Sequence, residues 1–489
     1  MSNSLRQRLE RRKNNFKGRI NFQFNKEKRE IQTVILSKSK KEEQLFKRRN
    51  PNLRSAQELL SEENQKYFEQ IRLKIQNLPQ IYKLLLDPQT QDHTLSEVRE
   101  ICSLFPNPPI REIIDNGFIP LFIEFLQSPK VLIQYEAITS LSHLTSGSLE
   151  LTSEIINMGI APKILDLLIQ TKDPDIIDQC ITSFANIISQ SIDFRDQVID
   201  TDFIQILSEI TQKFSKREST IKNFVWISIF ITRNPLPNFE KIKLLFDPLF
   251  AQTSSKNSEI SIYLLECLEN ISKGNDEFKQ VFFEIKELLE YLIINLENQD
   301  PKFQTPSLKT IGNLLNWKDE MTEKLINYNI ISILFKTFAS PISDLKRYSC
   351  WALSNICASN IKIQENAIKT GIIQILSQAL LKEKFEIQKQ AIFGISNLLE
   401  INNENLIQEM IKNQVVKGIS KLLTINDIQT IQIGLFCWER ILTQGLNVQN
   451  LIDIFEEEEA VSILEKLQNH ENQDISNKAN EIIENFFLK

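Results

Sequence analysis

The chain is poor in the residues that most chemistry and most sheets require. Three histidines, His93, His143 and His470, stand far apart, too few and too scattered for a metal site or a catalytic triad. With only 11 glycines and 16 prolines in 489 residues, there are few turns for a β protein. No glycine-rich phosphate loop and no nucleophile elbow is present. The six cysteines have neither metal nor disulfide spacing. Cys350 and Cys357 share a helical face, but no histidine lies near, so both read as small buried hydrophobes. No apolar run approaches 18 residues and no signal-peptide pattern is read, so a reducing compartment, cytosol or nucleus, is expected. An enzyme is not expected, since no catalytic constellation is present, and no cofactor or metal is called for.

What is present is helical. Leu, Ile, Lys, Glu, Gln and Asn dominate, and apolar residues recur at three and four, the period of an all-α chain. Charge divides unevenly: residues 1–50 carry 16 Lys+Arg against 5 Asp+Glu, a net of +11. The remaining residues carry 41 against 58, a net of −17. A basic arm is therefore joined to an acidic body, which repels nucleic acid and suits basic peptides. The arm's Val34, Ile35 and Leu36 form a small apolar patch without Trp, so membrane insertion is not expected.

The body repeats. DNGFIPLFIEFLQS (115–128), NMGIAPKILDLLIQ (157–170), NYNIISILFKTFAS (327–340) and KTGIIQILSQALL (369–381) share a short turn and an amphipathic helix. Second helices follow, among them YEAITSLSHLTSG, DQCITSFANIISQ, KNFVWISIFITRN, TPSLKTIGNLLNW, RYSCWALSNICAS and KQAIFGISNLLEI. Equivalent positions recur about every 42 residues, the armadillo or HEAT length, which predicts an α-solenoid. In a stack of this kind one helix of each unit lines the concave face, so a residue repeated at one helical position forms a ladder. Trp351 and Asn355 lie four apart, one above the other, away from the apolar face of Leu345, Cys350, Leu353, Ile356 and Cys357. The ladder reads Thr139/His143, Thr182/Asn186, Trp226/Phe230, Glu266/Asn270, Lys309/Asn313, Trp351/Asn355, Phe393/Asn397 and Phe436/Arg440. Asparagine carboxamides can bond the backbone of an extended peptide, and aromatic faces form slots for Lys and Arg stems.

With these motifs the chain resembles the importin alpha (karyopherin alpha) family of nuclear import adaptors, over nearly its whole length. ALSNICA, CWALSN, AIFGISN, PNPPIREIIDNGFIP (107–120), TPSLKTIGN (305–313) and LEKLQNHENQDISNKANEIIENFF (464–487) all look like that family. REIQTVILSKSKKEEQLFKRRN (29–50) is similar to its importin-beta-binding segment. The resemblance implies an armadillo-repeat right-handed α-solenoid with a flexible basic arm. It divides the chain into an importin-beta-binding arm (1–50), a linker and leading helix (51–88), and a solenoid of about nine to ten repeats (89–489).

The functional expectations follow from the resemblance. Signal-peptide contacts are expected from Trp351, Asn355, Phe393, Asn397, Trp226, Asn186, Asn270, Asn313, Gly147 and Thr152. Lys28, Arg29, Lys38, Lys40, Lys41, Lys47, Arg48 and Arg49 are expected to meet importin beta. Lys47-Arg48-Arg49 also look like a basic signal that folds back into the groove, an autoinhibitory cluster. Other expected partners are cargo with basic nuclear localisation signals and an export receptor reached partly through Glu456 to Glu459. The protein would shuttle between cytoplasm and nucleus.

Departures from the family's pattern concern cargo range: Gln190 stands where an acidic residue is expected, Tyr348 and Gln390 where rim glutamates are, and Lys309 where an arginine separates two sites. The family's principal site lies on the first half of the ladder, which is eroded here, so a short basic peptide is expected to depend at least as much on the second half. The alternative is a static armadillo scaffold for cytoskeletal or adhesion partners, which would not need the basic arm.

Overall fold

A computed structural model describes residues 73–104, 108–401, 404–445 and 447–488. Among these the secondary structure is helical without strands. The fold is an armadillo-repeat α-solenoid. The basic-arm residues Lys28, Arg29, Lys38, Lys40, Lys41, Lys47, Arg48 and Arg49 lie outside the described residues.

The repeated element has three helices, one more than the sequence period revealed. Ile361–Lys369, Ile372–Lys382 and Phe385–Leu398 make one such unit. The first helix escapes sequence reading because it is short and polar: in IKIQENAIK only Ile363, Gln364 and Ala367 are buried. The turn into the second helix is left-handed wherever it is regular. Gly117, Gly159 and Gly371 have φ of +79°, +86° and +92°, and Asn329, Gln414 and Glu459 take the same position at +59°, +58° and +60°. Glycine adopts this conformation without cost and asparagine with little, which is why Asn-Gly, Met-Gly and Thr-Gly pairs mark the repeat.

The long third helices carry the ladder. They are α1 (Gln91–Cys102), α2 (Val131–Leu144), α3 (Pro174–Gln190), α4 (Glu218–Ile231), α5 (Ser258–Ile271), α6 (Pro301–Leu315), α7 (Ser343–Cys357), α8 (Phe385–Leu398), α9 (Ile428–Gln444) and α10 (Gln473–Phe486). Several start with a side-chain cap. Asp173 accepts from the amides of Asp175 and Ile176, Asp300 from Lys302 and Asn472 from Asp474 and Ile475, satisfying N–H groups that a helix start leaves open. Pro174 and Pro301 follow two of these caps, where a missing N–H costs nothing.

The described residues fall into two compact units, one up to Cys267 and one from Leu268 onward. In the first, Ile138, Leu141, Ile181, Phe184, Phe203 and Phe224 are sealed in the core. One repeat there is irregular: short helices at Phe239–Ile242 and Phe246–Phe250, with 3-10 turns between and after, precede α5. In the second unit the core includes Leu308, Ile311, Leu353, Ile356, Ile392 and Ile395. All six cysteines are buried thiols. Among the described residues no helix is long and apolar enough to cross a membrane.

Candidate functional site

Each unit presents its own stretch of the ladder, and the two differ. In residues 268–489, Trp351 is half-buried and rests on the preceding long helix at Gly312. A Cβ built on Gly312 would lie 2.1–2.8 Å from three atoms of the indole, so only glycine leaves room for the ring. The Gly312 carbonyl also accepts a hydrogen bond from Asn355 Nδ2 at 3.0 Å. One residue thus seats both the aromatic and the carboxamide. The pattern repeats one step on, where Asn397 Nδ2 donates to the Ser354 carbonyl at 3.1 Å and Phe393 is half-buried. One step earlier, Asn313 Nδ2 donates to Ser272 Oγ at 2.9 Å, and half-buried Asn270 precedes it.

These asparagines therefore tie each long helix to the one before. The amide has two hydrogens and its oxygen two lone pairs, so one internal bond leaves donor and acceptor capacity, reachable at half-buried Asn397 but largely covered at Asn355, which is 5% exposed. Neither Asn355 nor Asn397 receives a hydrogen bond at Oδ1 from another described residue.

Positive charge is built into the same face. Lys309 Nζ lies 3.5 Å from Glu269 and 5.1 Å from the centre of the Tyr348 ring, which Arg347 also covers at 4.4 Å. Burial pulls the Lys309 pKa down, but Glu269 and Tyr348 outweigh it and hold the ammonium above the ordinary lysine value. Arg347 is likewise raised, with burial opposed by Tyr348 and Asp344. At the far end of this stretch Arg440 sits 5.9 Å over Phe436, and its Nε donates to the Leu399 carbonyl at 3.4 Å.

In residues 21–267 the ladder is largely closed. Trp226 departs from the expectation of an open slot: it is 2% exposed, with the Phe230 ring edge-on at 5.3 Å. The bulky residue at the asparagine position pushes the stripe toward core packing. Asn186 is 1% exposed, donates from Nδ2 to the Ser142 carbonyl at 2.7 Å, and keeps a buried Oδ1 with no partner among the described residues. Thr152 is fully buried, its hydroxyl donating to the Thr145 carbonyl at 3.3 Å. The Gly147 carbonyl is taken by Gln190 Nε2 at 3.0 Å. Where a carboxylate could have faced a cation, the Gln190 amide itself fills the acceptor. Thr182 and Thr139 complete the stretch, Thr182 bonding back to the Asp178 carbonyl at 2.8 Å.

Cations crowd this end too. Arg195, 1% exposed, donates to the Pro235 carbonyl at 2.8 Å and pairs with Asp196, while Arg233 reaches the Ser189 carbonyl at 3.2 Å. Burial, and then the neighbouring Arg195 guanidinium, pull Arg233 below the ordinary arginine value.

Sequence reasoning placed the ladder but missed Gly312, Gln190 as a plug, and the cation caps. Gly312 directly before Asn313, and Gly394 three residues before Asn397, are the signal that could have drawn attention to glycine on the ladder helices. Of the acidic run expected to help an export receptor, Glu456, Glu457 and Glu459 are exposed while Glu458 pairs with Lys417 at 3.0 Å. Two further tryptophans lie apart from the ladder: Trp438 is sealed in the core, and Trp317 donates from Nε1 to Asp276 at 2.8 Å. No group of His, Cys, Asp and Glu among the described residues could hold a metal.

Comparison with known proteins agrees in kind. Residues 12–96 match the importin beta binding domain, 106–146 an armadillo/beta-catenin-like repeat, and 449–489 an atypical armadillo repeat. Importin subunit alpha-1a of Oryza sativa subsp. japonica is 26% identical over 99% of this chain and 93% of its own length. Importin subunit alpha-3 of Arabidopsis thaliana is 28% identical, again over 99% and 93%. Among solved structures, an engineered protein superposes with a TM-score of 0.73 at 22% identity, covering 84% of this chain and 98% of its own, which bears on the fold alone.

Proposed function

The chain belongs to the importin alpha family, whose members are nuclear import adaptors, and from that premise we propose how it carries cargo. The body grips a basic nuclear localisation signal, the arm engages importin beta, and the assembly passes the nuclear pore, after which an export receptor returns the adaptor. The protein shuttles between cytoplasm and nucleus and performs no catalysis.

One observation carries the peptide reading. In adjacent repeats of the carboxy-terminal unit, Trp351 and Phe393 are accessible aromatics, each with an asparagine four residues on whose orientation is fixed by a carbonyl of the preceding helix. Such fixed carboxamides hold an extended main chain at little entropic cost. Neighbouring long helices about 10 Å apart match about three residues of strand, so successive asparagines meet successive main-chain amides. Lys or Arg stems fit between the aromatics, and the net −17 of the body draws them in. Asn313, Asn270, Trp226, Asn186, Gly147 and Thr152 serve as lesser contacts or as supports.

Carrier binding rests on the arm. Its basic residues, Lys28 through Arg49, engage an acidic partner surface, and Lys47-Arg48-Arg49 compete for the ladder when no importin beta holds them. Capture of the arm then favours cargo and cargo favours capture, because linkage is reciprocal. The test is a pull-down with importin beta. Replacing Lys38, Lys40, Lys41, Lys47, Arg48 and Arg49 by Ala should abolish capture, and wild-type capture should weaken with salt. Undiminished capture of the variant at low salt would refute it.

A further inference from the structure

The open aromatics of the carboxy-terminal unit lie between two aromatics that the protein has already filled with its own cations. Along α6 to α9 the ladder positions are Lys309, Trp351, Phe393 and Phe436. At one end Lys309 and Arg347 cover the Tyr348 ring at 5.1 and 4.4 Å. At the other, Arg440 occupies the position that asparagine holds in the two preceding repeats and covers Phe436 at 5.9 Å. A ring face already occupied by a cation offers nothing to a second one, and a peptide cation placed there meets like charge.

From this arrangement, and resting on the peptide-binding reading above, we infer that the site selects a short basic core bounded on both sides by acidic residues. Three helix steps of about 10 Å separate α6 from α9, which an extended chain spans in about nine residues. The basic core faces Trp351 and Phe393, and the flanking carboxylates meet Lys309 and Arg347 at one end and Arg440 at the other. The ends are not equal. Lys309 is partly neutralised by Glu269 at 3.5 Å and Arg347 by Asp344 at 3.1 Å, whereas Arg440 has no carboxylate partner among the described residues and spends its Nε on the Leu399 carbonyl. The flank read by Arg440 therefore discriminates more strongly.

The test titrates the full chain with a fluorescent peptide series that keeps one Lys/Arg core of five residues and varies the flanks: Glu-Glu, Gln-Gln or Lys-Lys at the amino end, the carboxy end or both. Any competition from the arm is common to the series and cancels in the ratios. Glu flanks should tighten binding about threefold per end relative to Gln, and Lys flanks should weaken it. The Glu advantage should shrink as salt rises. Arg440→Gln should remove the advantage at one peptide end and Lys309→Gln at the other. Salt dependence of the unmutated chain is the readout that survives should either variant fold poorly. Equal affinities for Glu, Gln and Lys flanks, or loss at the same end in both variants, would overturn the inference while leaving peptide binding intact. Failure of every peptide in the series to bind would instead overturn the peptide-binding reading itself.

Discussion

The two halves of the ladder share one template and put it to different uses. In residues 268–489 the aromatic stays accessible because a glycine on the preceding helix receives it, and the asparagine is held by that same glycine's carbonyl. In residues 21–267 the tryptophan has sunk into the core, a phenylalanine stands at its asparagine position, and the acceptor at Gly147 is plugged by Gln190. A residue type at a repeat position therefore fixes a location on the helix. Whether it serves packing or recognition is decided by what it meets: Gly312 one repeat back for Trp351, Phe230 on its own helix for Trp226.

The sharpest way to break this comparison is to delete the two tryptophans separately. Trp226→Ala empties a packed site and should cost about 3–5 kcal/mol of stability, seen as a lower urea midpoint with unchanged slope. Trp351→Ala should cost less stability and more peptide affinity. A larger stability loss for Trp351 than for Trp226 would reverse the assignment of packing and recognition.

Next comes the seat of the indole. Gly312→Ala forces a methyl group into the ring and should cost about 1–3 kcal/mol, with a shift in tryptophan emission. Trp351→Phe in the same background should recover part of that loss, because the smaller ring leaves the space the methyl needs. An innocuous Gly312→Ala would mean that the indole has another resting place.

A smaller effect is expected at the plug. Gln190→Ala frees the Gly147 carbonyl for a lysine ammonium and should raise the contribution of the amino-terminal unit to peptide binding by about 1 kcal/mol. Calorimetry on the Trp351→Ala background would isolate it, and unchanged affinity there would show that the plug does not control that unit.

Smallest is the effect of alkali. Burial pushes the Cys102 thiol up to about 12 from 9.0, with Ser140 and Arg99 opposing. A folded-state pKa above the unfolded one favours the fold while the thiol is protonated. That contribution is complete below about pH 9 and is lost as pH climbs toward 12. Thiol titration of the native chain should be slow at pH 8 and become rapid on adding urea; fast native reaction would contradict the burial.

How much of this was legible in the sequence depends on which distances matter. The repeat length, the helical class and the ladder positions follow from periodicity along one chain, as do the short turns; that Gly117, Gly159 and Gly371 are left-handed there comes from the structure. The polar first helix of each repeat was hidden because it buries so few residues. The asparagines were read as free for a peptide, yet the bonds from Asn186 to Ser142 and from Asn355 to Gly312 join residues more than 40 apart, which no local pattern reveals. Gln190 was visible as a missing acid but not as a plug, since its role depends on the Gly147 carbonyl facing it.

The central claim is that the carboxy-terminal stretch is at least as important for a short basic peptide as the amino-terminal one. Titration calorimetry on a chain lacking residues 1–50 compares Trp351→Ala with Asn355→Ala against Trp226→Ala with Asn186→Ala, each checked for native helicity at the measuring temperature. The Trp351/Asn355 pair should remove at least as much binding energy as the Trp226/Asn186 pair. If the Trp226/Asn186 pair abolishes binding while the Trp351/Asn355 pair leaves it nearly intact, the amino-terminal stretch is the principal site and the account is contradicted.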